Sequence, residues 1–178
     1  MHIVKENAEQ KTGKKDYVLE GIFTEFDVKN RNERIYTAEK FLPHLEELSS
    51  RITGKPGVVY GEFDHPENFD TALSRVSHKI TKVGFLQEKN CVMGEIRLLG
   101  TRMGQEAKAL VEDDCQIFVS SRAAGVTEAN GVVTIKKLFT YDIVADPGFG
   151  SAKMEMKTSL NESLGYKTNS NFRIFGTV

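Results

Sequence analysis

Three groups in this sequence have the chemistry to activate a hydroxyl: a serine pair, a histidine and a carboxylate, each tied to an apolar run. Ser120 and Ser121 follow Ile117-Phe118-Val119 and lead into Arg122-Ala123-Ala124-Gly125, a β-type run ending in small residues. A serine hydroxyl is a poor nucleophile at neutral pH unless a base lies within hydrogen-bond reach. The best base is His65, in Gly61-Glu62-Phe63-Asp64-His65-Pro66, which closes the apolar run Val58-Val59-Tyr60. Pro66 restricts His65 to extended geometry, so the imidazole leaves its strand in a fixed direction. Asp142, within Phe139-Thr140-Tyr141-Asp142-Ile143-Val144, is a carboxylate in an apolar strand, where a charge needs a partner. Together they predict a hydrolase working by acyl transfer, in the chain order His65, Ser120, Asp142, with no cofactor and no metal. Strand alternation sends Ser120 and Ser121 to opposite faces.

Two other groupings stay open. Glu62, Asp64, His65 and His78 could gather around a metal, although they lack the i, i+4 histidine pair of a helical zinc motif, and alternation would put His65 opposite Glu62 and Asp64. Cys115 with His65 could form a thiol hydrolase, although Cys115 opens an apolar run where a thiolate is disfavoured. A Ser-Ser pair at a strand end is also a common solvated turn, and an aspartate among apolar residues can serve a structural ion pair.

The elements that must position these groups follow in order. Residues 1–16 hold Lys5, Lys11, Lys14 and Lys15 without apolar periodicity and read as a flexible arm. Tyr17 to Val28 reads as a strand. Thr37 caps a helix whose Phe41, Leu45, Leu48 and Ile52 share one face, with Pro43 inside it. His78–Gln87 and Cys91–Leu99 form a hairpin around Glu88-Lys89-Asn90. Thr101 caps a second helix with Met103, Ala107, Leu110 and Val111 as its buried stripe. Asn130-Gly131 signals a tight turn with positive φ at both positions, which makes the Asp142 strand the hairpin partner of the Ser120 strand. After Asp146-Pro147-Gly148 the chain turns polar. The fold class is α+β: a mostly antiparallel sheet or barrel of about seven strands with flanking helices. A folded domain spans 17–150, and 151–178 is a polar tail.

Composition excludes some partners. The 178 residues carry a formal net charge of -1, with no electrostatic footprint for nucleic acid or an anionic membrane. No apolar run approaches the roughly 18 residues of a membrane span. Two cysteines, Cys91 and Cys115, are too few for a disulfide framework and predict reduced, buried thiols in a cytoplasmic setting.

Four motifs in order carry a resemblance: Asn30-Arg31-Asn32-x-Arg34-x-Tyr36, Gly61-Glu62-x-x-His65-Pro66, Val119-Ser120-Ser121-Arg122 and Asp142-x-Val144-x-x-Pro147. Between about Glu20 and Pro147 the chain resembles the prohead (capsid maturation) serine proteases of tailed phages, which share fold and ancestry with the herpesvirus assemblins. The resemblance implies a herpesvirus-protease-like fold, His65 as general base and Ser120 as nucleophile. Asp142 takes the place of the second histidine of the assemblins. The backbone N–H groups of Ser121 and Arg122, or the Arg122 side chain, would form the oxyanion site. The family usually has Gly where this chain has Ala123, and a non-catalytic capsid-core or scaffold protein is therefore an alternative. The resemblance further implies self-association, and scaffold, core and major capsid proteins as substrates, inside the prohead in the host cytoplasm. Cleavage would follow Glu in an apolar-x-Glu motif, and Leu160-Asn161-Glu162, followed by Ser163, is a candidate self-cleavage site in the tail. Leu45-Glu46-Glu47 and Leu110-Val111-Glu112 match too, but in predicted helices.

Overall fold

Val18–Glu25, the β-branched and aromatic run near the start, forms strand β1, and Thr37 caps helix α1, Ala38–Thr53, by accepting the Lys40 N–H on its hydroxyl. The computed structural model of the protein describes residues 16–157 and 172–174. The remaining strands are β2 (Val59–Glu62), β3 (Val76–Leu86), β4 (Cys91–Leu98), β5 (Ile117–Thr127), β6 (Val133–Val144), β7 (Lys153–Met156) and β8 (Phe172–Ile174), with helix α2 at Arg102–Glu112.

Their order in the sheet is β2-β3-β4-β1-β7-β5-β6, every neighbouring pair antiparallel, and β8 pairs with β3. The two ends of that order meet. Phe63 bridges to Ile143, and the Asp64 N–H donates to the Ile143 carbonyl at 2.7 Å. The sheet thus curls into a nearly closed barrel whose seam lies between β2 and β6, as the α+β, mostly antiparallel expectation requires. Leu19, Phe23, Val92, Ile96, Val119, Leu138 and Tyr141 are buried in its core. α1 adds Phe41, Leu45 and Leu48 to that core from a position against β6 and β3.

Several details depart from the expectations. Of the expected α2 stripe, Ala107 is buried and Val111 packs against the core, but Gly104 and Lys108 share the buried face and Leu110 is exposed. Any side chain on Gly104 would run into the Leu99 and Ser77 carbonyls, and this close approach to β3 and β4 rotates the helix away from the Met103–Leu110 face. In the β5–β6 turn Gly131 alone has positive φ, and its N–H donates to the Glu128 carbonyl at 2.9 Å, so the loop is wider than a two-residue turn. Cys115 lies before β5 and is exposed, whereas Cys91 is buried and burial pushes its thiol up to about 11. Lys153–Met156, read as the start of the polar tail, is a strand between β1 and β5. Its Met154 faces the core while Lys153 and Glu155 stay exposed, an alternation too short to register in a polar segment.

Candidate active site

The barrel seam brings His65 to Asp142. β2 ends at Glu62, and Asp64 then adopts a left-handed backbone (φ 73). Asp tolerates that conformation better than most residues. This turn breaks the strand alternation expected to separate His65 from Glu62. His65 swings against β6, where its Nδ1 lies 3.0 Å from Asp142 Oδ2. An ionised carboxylate only accepts, so Nδ1 carries the hydrogen and Nε2 keeps its lone pair as a proton acceptor. The His65 side chain is 40% exposed and Asp142 is 0% exposed.

Ser120 stands directly across the β5–β6 ladder from Asp142. Residues paired in this way share a face, with Cβ atoms about 4.5–5.5 Å apart. Ser121 pairs with Tyr141, a core residue whose ring packs on Phe23 and whose hydroxyl meets Thr24. Of the two serines, Ser120 therefore shares the face of Asp142 and His65, and Ser121 points inward. Among the described residues no hydrogen bond links the Ser120 hydroxyl to His65.

Arg122 occupies the same outer face and was read as an oxyanion donor. Its guanidinium is engaged elsewhere: Nε donates to Asp142 Oδ2 at 2.9 Å, Nη2 to Asp142 Oδ1 at 2.7 Å, and Nη1 to the Phe69 and Asp70 carbonyls. The side chain is 4% exposed. This two-pronged grip removes the Arg122 side chain from the oxyanion candidates and leaves backbone N–H groups. Asp142 Oδ1 also accepts the Glu62 N–H at 2.9 Å. Burial pushes the Asp142 carboxyl up, but bonds from His65, Arg122 and the Glu62 N–H outweigh it and hold the group below the usual aspartate value.

The metal grouping does not assemble. Glu62 turns its carboxylate to Arg75 Nε (2.9 Å) and the Ala72 N–H (2.5 Å). His78 lies inside the barrel, between the Ser77 hydroxyl at Nδ1 and the Tyr141 carbonyl at Nε2. A side chain on Gly61 would strike the His78 ring, which fixes glycine there. Among the described residues no three His, Cys, Asp or Glu side chains gather to hold a metal. Sequence reasoning passed over Arg75 and the structural part of Glu62. The only available signal was a glutamate at the end of an apolar strand.

Burial drives the His78 imidazole down to about 4 against its ordinary 6.5. Between those values the unfolded chain binds a proton that the folded protein refuses, so stability rises with pH across that window and falls as pH drops from about 6.5 to about 4. The shift corresponds to about 3 kcal/mol. In denaturant titrations between pH 7 and pH 4, His78→Gln is expected to flatten this slope while lowering stability at neutral pH. Equal slopes in the two proteins would remove His78 as the cause.

Comparison with known proteins bears on the family and the fold. The Peptidase S80 family matches residues 8–177, nearly the whole chain. The chain belongs to the Peptidase S80 family. Among solved structures it is similar to the bacteriophage T4 capsid assembly protease, gp21, with a TM-score of 0.62 and 21% sequence identity over 72% of this chain and 81% of that one. At that identity the likeness is one of fold. No curated protein matches the chain. The peptidase assignment and the mostly antiparallel barrel with flanking helices expected from the sequence stand. Leu160, Glu162 and Ser163 lie outside the described residues, as do residues 1–15, and the other two matches to the apolar-x-Glu motif fall in α1 and α2.

Proposed function

We propose that the chain is a serine endopeptidase of phage prohead assembly, with Ser120 as nucleophile, His65 as general base and Asp142 as the group that orients it. The observation that carries this reading is the His65–Asp142 bond on the outer face of the seam, with Ser120 opposite Asp142 in register. Ser120 Oγ attacks the scissile carbonyl while His65 Nε2 takes its proton. The acyl-enzyme is then released by water that His65 deprotonates in turn. Asp142 holds the tautomer and stabilises the imidazolium.

The tetrahedral oxyanion needs donors aimed at it. Val119 donates its N–H to Ala152, on the side of β5 away from β6. By alternation the Ser121 N–H points the same way, off the edge of β5, and this favours it over the Arg122 N–H. Ala123 does not argue for a non-catalytic scaffold protein, because its backbone is not among those with positive φ and does not call for glycine.

Substrates would be scaffold, core and capsid proteins cut after Glu in an apolar-x-Glu motif. The fold shared with the T4 capsid assembly protease supports that class of partner. Cleavage after Glu162 would leave β7 in the sheet and detach β8 from the edge of β3. Asp16, counted with the arm of residues 1–16, pairs with Arg97 on β4. A fluorophosphonate probe is expected to label the wild type on Ser120 and to leave Ser120→Ala and His65→Gln unlabelled. Activity that survives Ser120→Ala but is lost to a chelator would instead favour metal-assisted hydrolysis.

A further inference from the structure

Among the described residues the buried acidic side chains are Glu62 and Asp142, both 0% exposed, and they are neighbours. Glu62 donates its own N–H to Asp142 Oδ1, and Arg122 lies between the carboxylates, 3.7 Å from Glu62 Oε1 and 2.7 Å from Asp142 Oδ1. Two buried carboxylates against one buried guanidinium leave a charge uncompensated. The second cation is Arg75, whose Nε lies 2.9 Å from Glu62 Oε2. Arg75 closes the segment 66–75, which starts at Pro66 directly after His65. The same segment gives the Ala72 N–H to Glu62 Oε1 at 2.5 Å. It also takes Arg122 Nη1 on the Phe69 and Asp70 carbonyls at 3.3 and 3.2 Å.

We propose that Glu62 is a positioning residue that latches segment 66–75 onto the catalytic face, so that Asp142 and His65 are held in register only while the segment is docked. This inference rests on the triad reading and deepens it. Undocking would remove Arg75 and the Ala72 N–H from Glu62 and two carbonyl acceptors from Arg122. Glu62 and Asp142 would then compete for one guanidinium at close range, and a buried carboxylate without its cation is strongly disfavoured. Arg122 would be drawn from its two-pronged hold on Asp142, and the imidazole, bound to that carboxylate through Nδ1, would lose its fixed direction. Small misplacements of a reacting group of this kind cost about 100-fold in rate.

The test uses full-length protein carrying Glu62→Gln or Arg75→Ala, with Ser120→Ala as the reference for activity. Glu62→Gln keeps an acceptor for the Ala72 N–H and removes the charge. Arg75→Ala truncates a side chain that is 43% exposed, so the fold survives at least in that variant. Three readouts are taken: amide hydrogen exchange across 66–75, the low-field proton resonance of the His65 Nδ1–H, and kcat and KM on a peptide spanning residues 156–167. Both variants are expected to speed Ala72 exchange at least about tenfold, and Arg75→Ala, which leaves the Glu62 charge to compete for Arg122, to broaden or erase the His65 resonance that Glu62→Gln, without the competing charge, largely keeps. Arg75→Ala should lower kcat about 10–100-fold while KM stays within about threefold, and Glu62→Gln should lower kcat less. The latch is overturned if Ala72 exchange keeps its wild-type rate in both variants. It is equally overturned if the His65 resonance persists unshifted in Arg75→Ala. If Ser120→Ala cuts the peptide as fast as wild type, the triad reading falls, and the exchange and resonance measurements still decide the latch.

Discussion

Wild-type protein is expected to lose residues 163–178 on incubation by cleavage after Glu162, and Ser120→Ala is expected to abolish that trimming. The Ser120 hydroxyl is the nucleophile-bearing group directly opposite Asp142 on β5. Arg122, two residues on and on the same face, has its guanidinium tied to Asp142 and to segment 66–75. Removing the nucleophile of a Ser-His-Asp site leaves the residual catalysis of the oxyanion donors and binding alone, a fall of about 10⁴–10⁶ in kcat. Ser121→Ala separates the two serines. Its side chain faces the interior beside Tyr141, so trimming should persist, with a modest effect on stability. Intact mass after incubation reads all three proteins at once. Loss of trimming in Ser121→Ala with retention in Ser120→Ala would transfer the nucleophile to the other face and break the proposed site. Equal trimming in all three would point to a contaminating protease and withdraw support for Ser120.

The parts of this site legible in the sequence are those set by local rules. Thr37 and Thr101 each cap a helix with the side-chain bond their type predicts, and Phe41, Leu45 and Leu48 all face the core. The Asn130-Gly131 signal joined the right two strands even though the turn differs in type, and that pairing placed Asp142 opposite Ser120. Charges fixed by barrel closure could not be read. Arg122 is held by Asp142, twenty positions away, and by segment 66–75. Glu62 meets Asp142 across 80 positions. Nothing local distinguishes such residues from solvated ones. The left-handed Asp64 has the same character, because a regular strand through His65 would have pointed the imidazole away from β6. The α2 face was read rightly at Ala107 and Val111 and wrongly at Leu110, because Gly104 brings the helix close to the sheet and a hydrophobic pattern records side chains rather than distances of approach.

Asp142→Asn tests the group that binds the site together, and its effect should appear twice. The carboxylate accepts four donors: His65 Nδ1–H, Arg122 Nε–H and Nη2–H, and the Glu62 N–H. An asparagine offers one accepting oxygen and turns an NH₂ group toward at least one of those donors. If that NH₂ faces His65, Nδ1 must accept the hydrogen bond, and the proton moves to Nε2, where it blocks the base. The wrong tautomer in a Ser-His-Asp site costs about 10⁴ in kcat. Arg122 also keeps only Glu62 as a buried counter-charge, and breaking a buried pair destabilises by about 3–5 kcal/mol. The pH dependence checks the cause. Because the Asp142 carboxyl is held below its ordinary value, its contribution is full above the usual aspartate range and is lost as pH falls through the lowered value. Denaturant titrations at pH 7, 5 and 3 should therefore show a wide gap between wild type and Asp142→Asn at the first two and a narrowing gap at pH 3. A variant that keeps kcat within tenfold of wild type would make Asp142 a structural anchor only and leave His65 without the partner its tautomer requires.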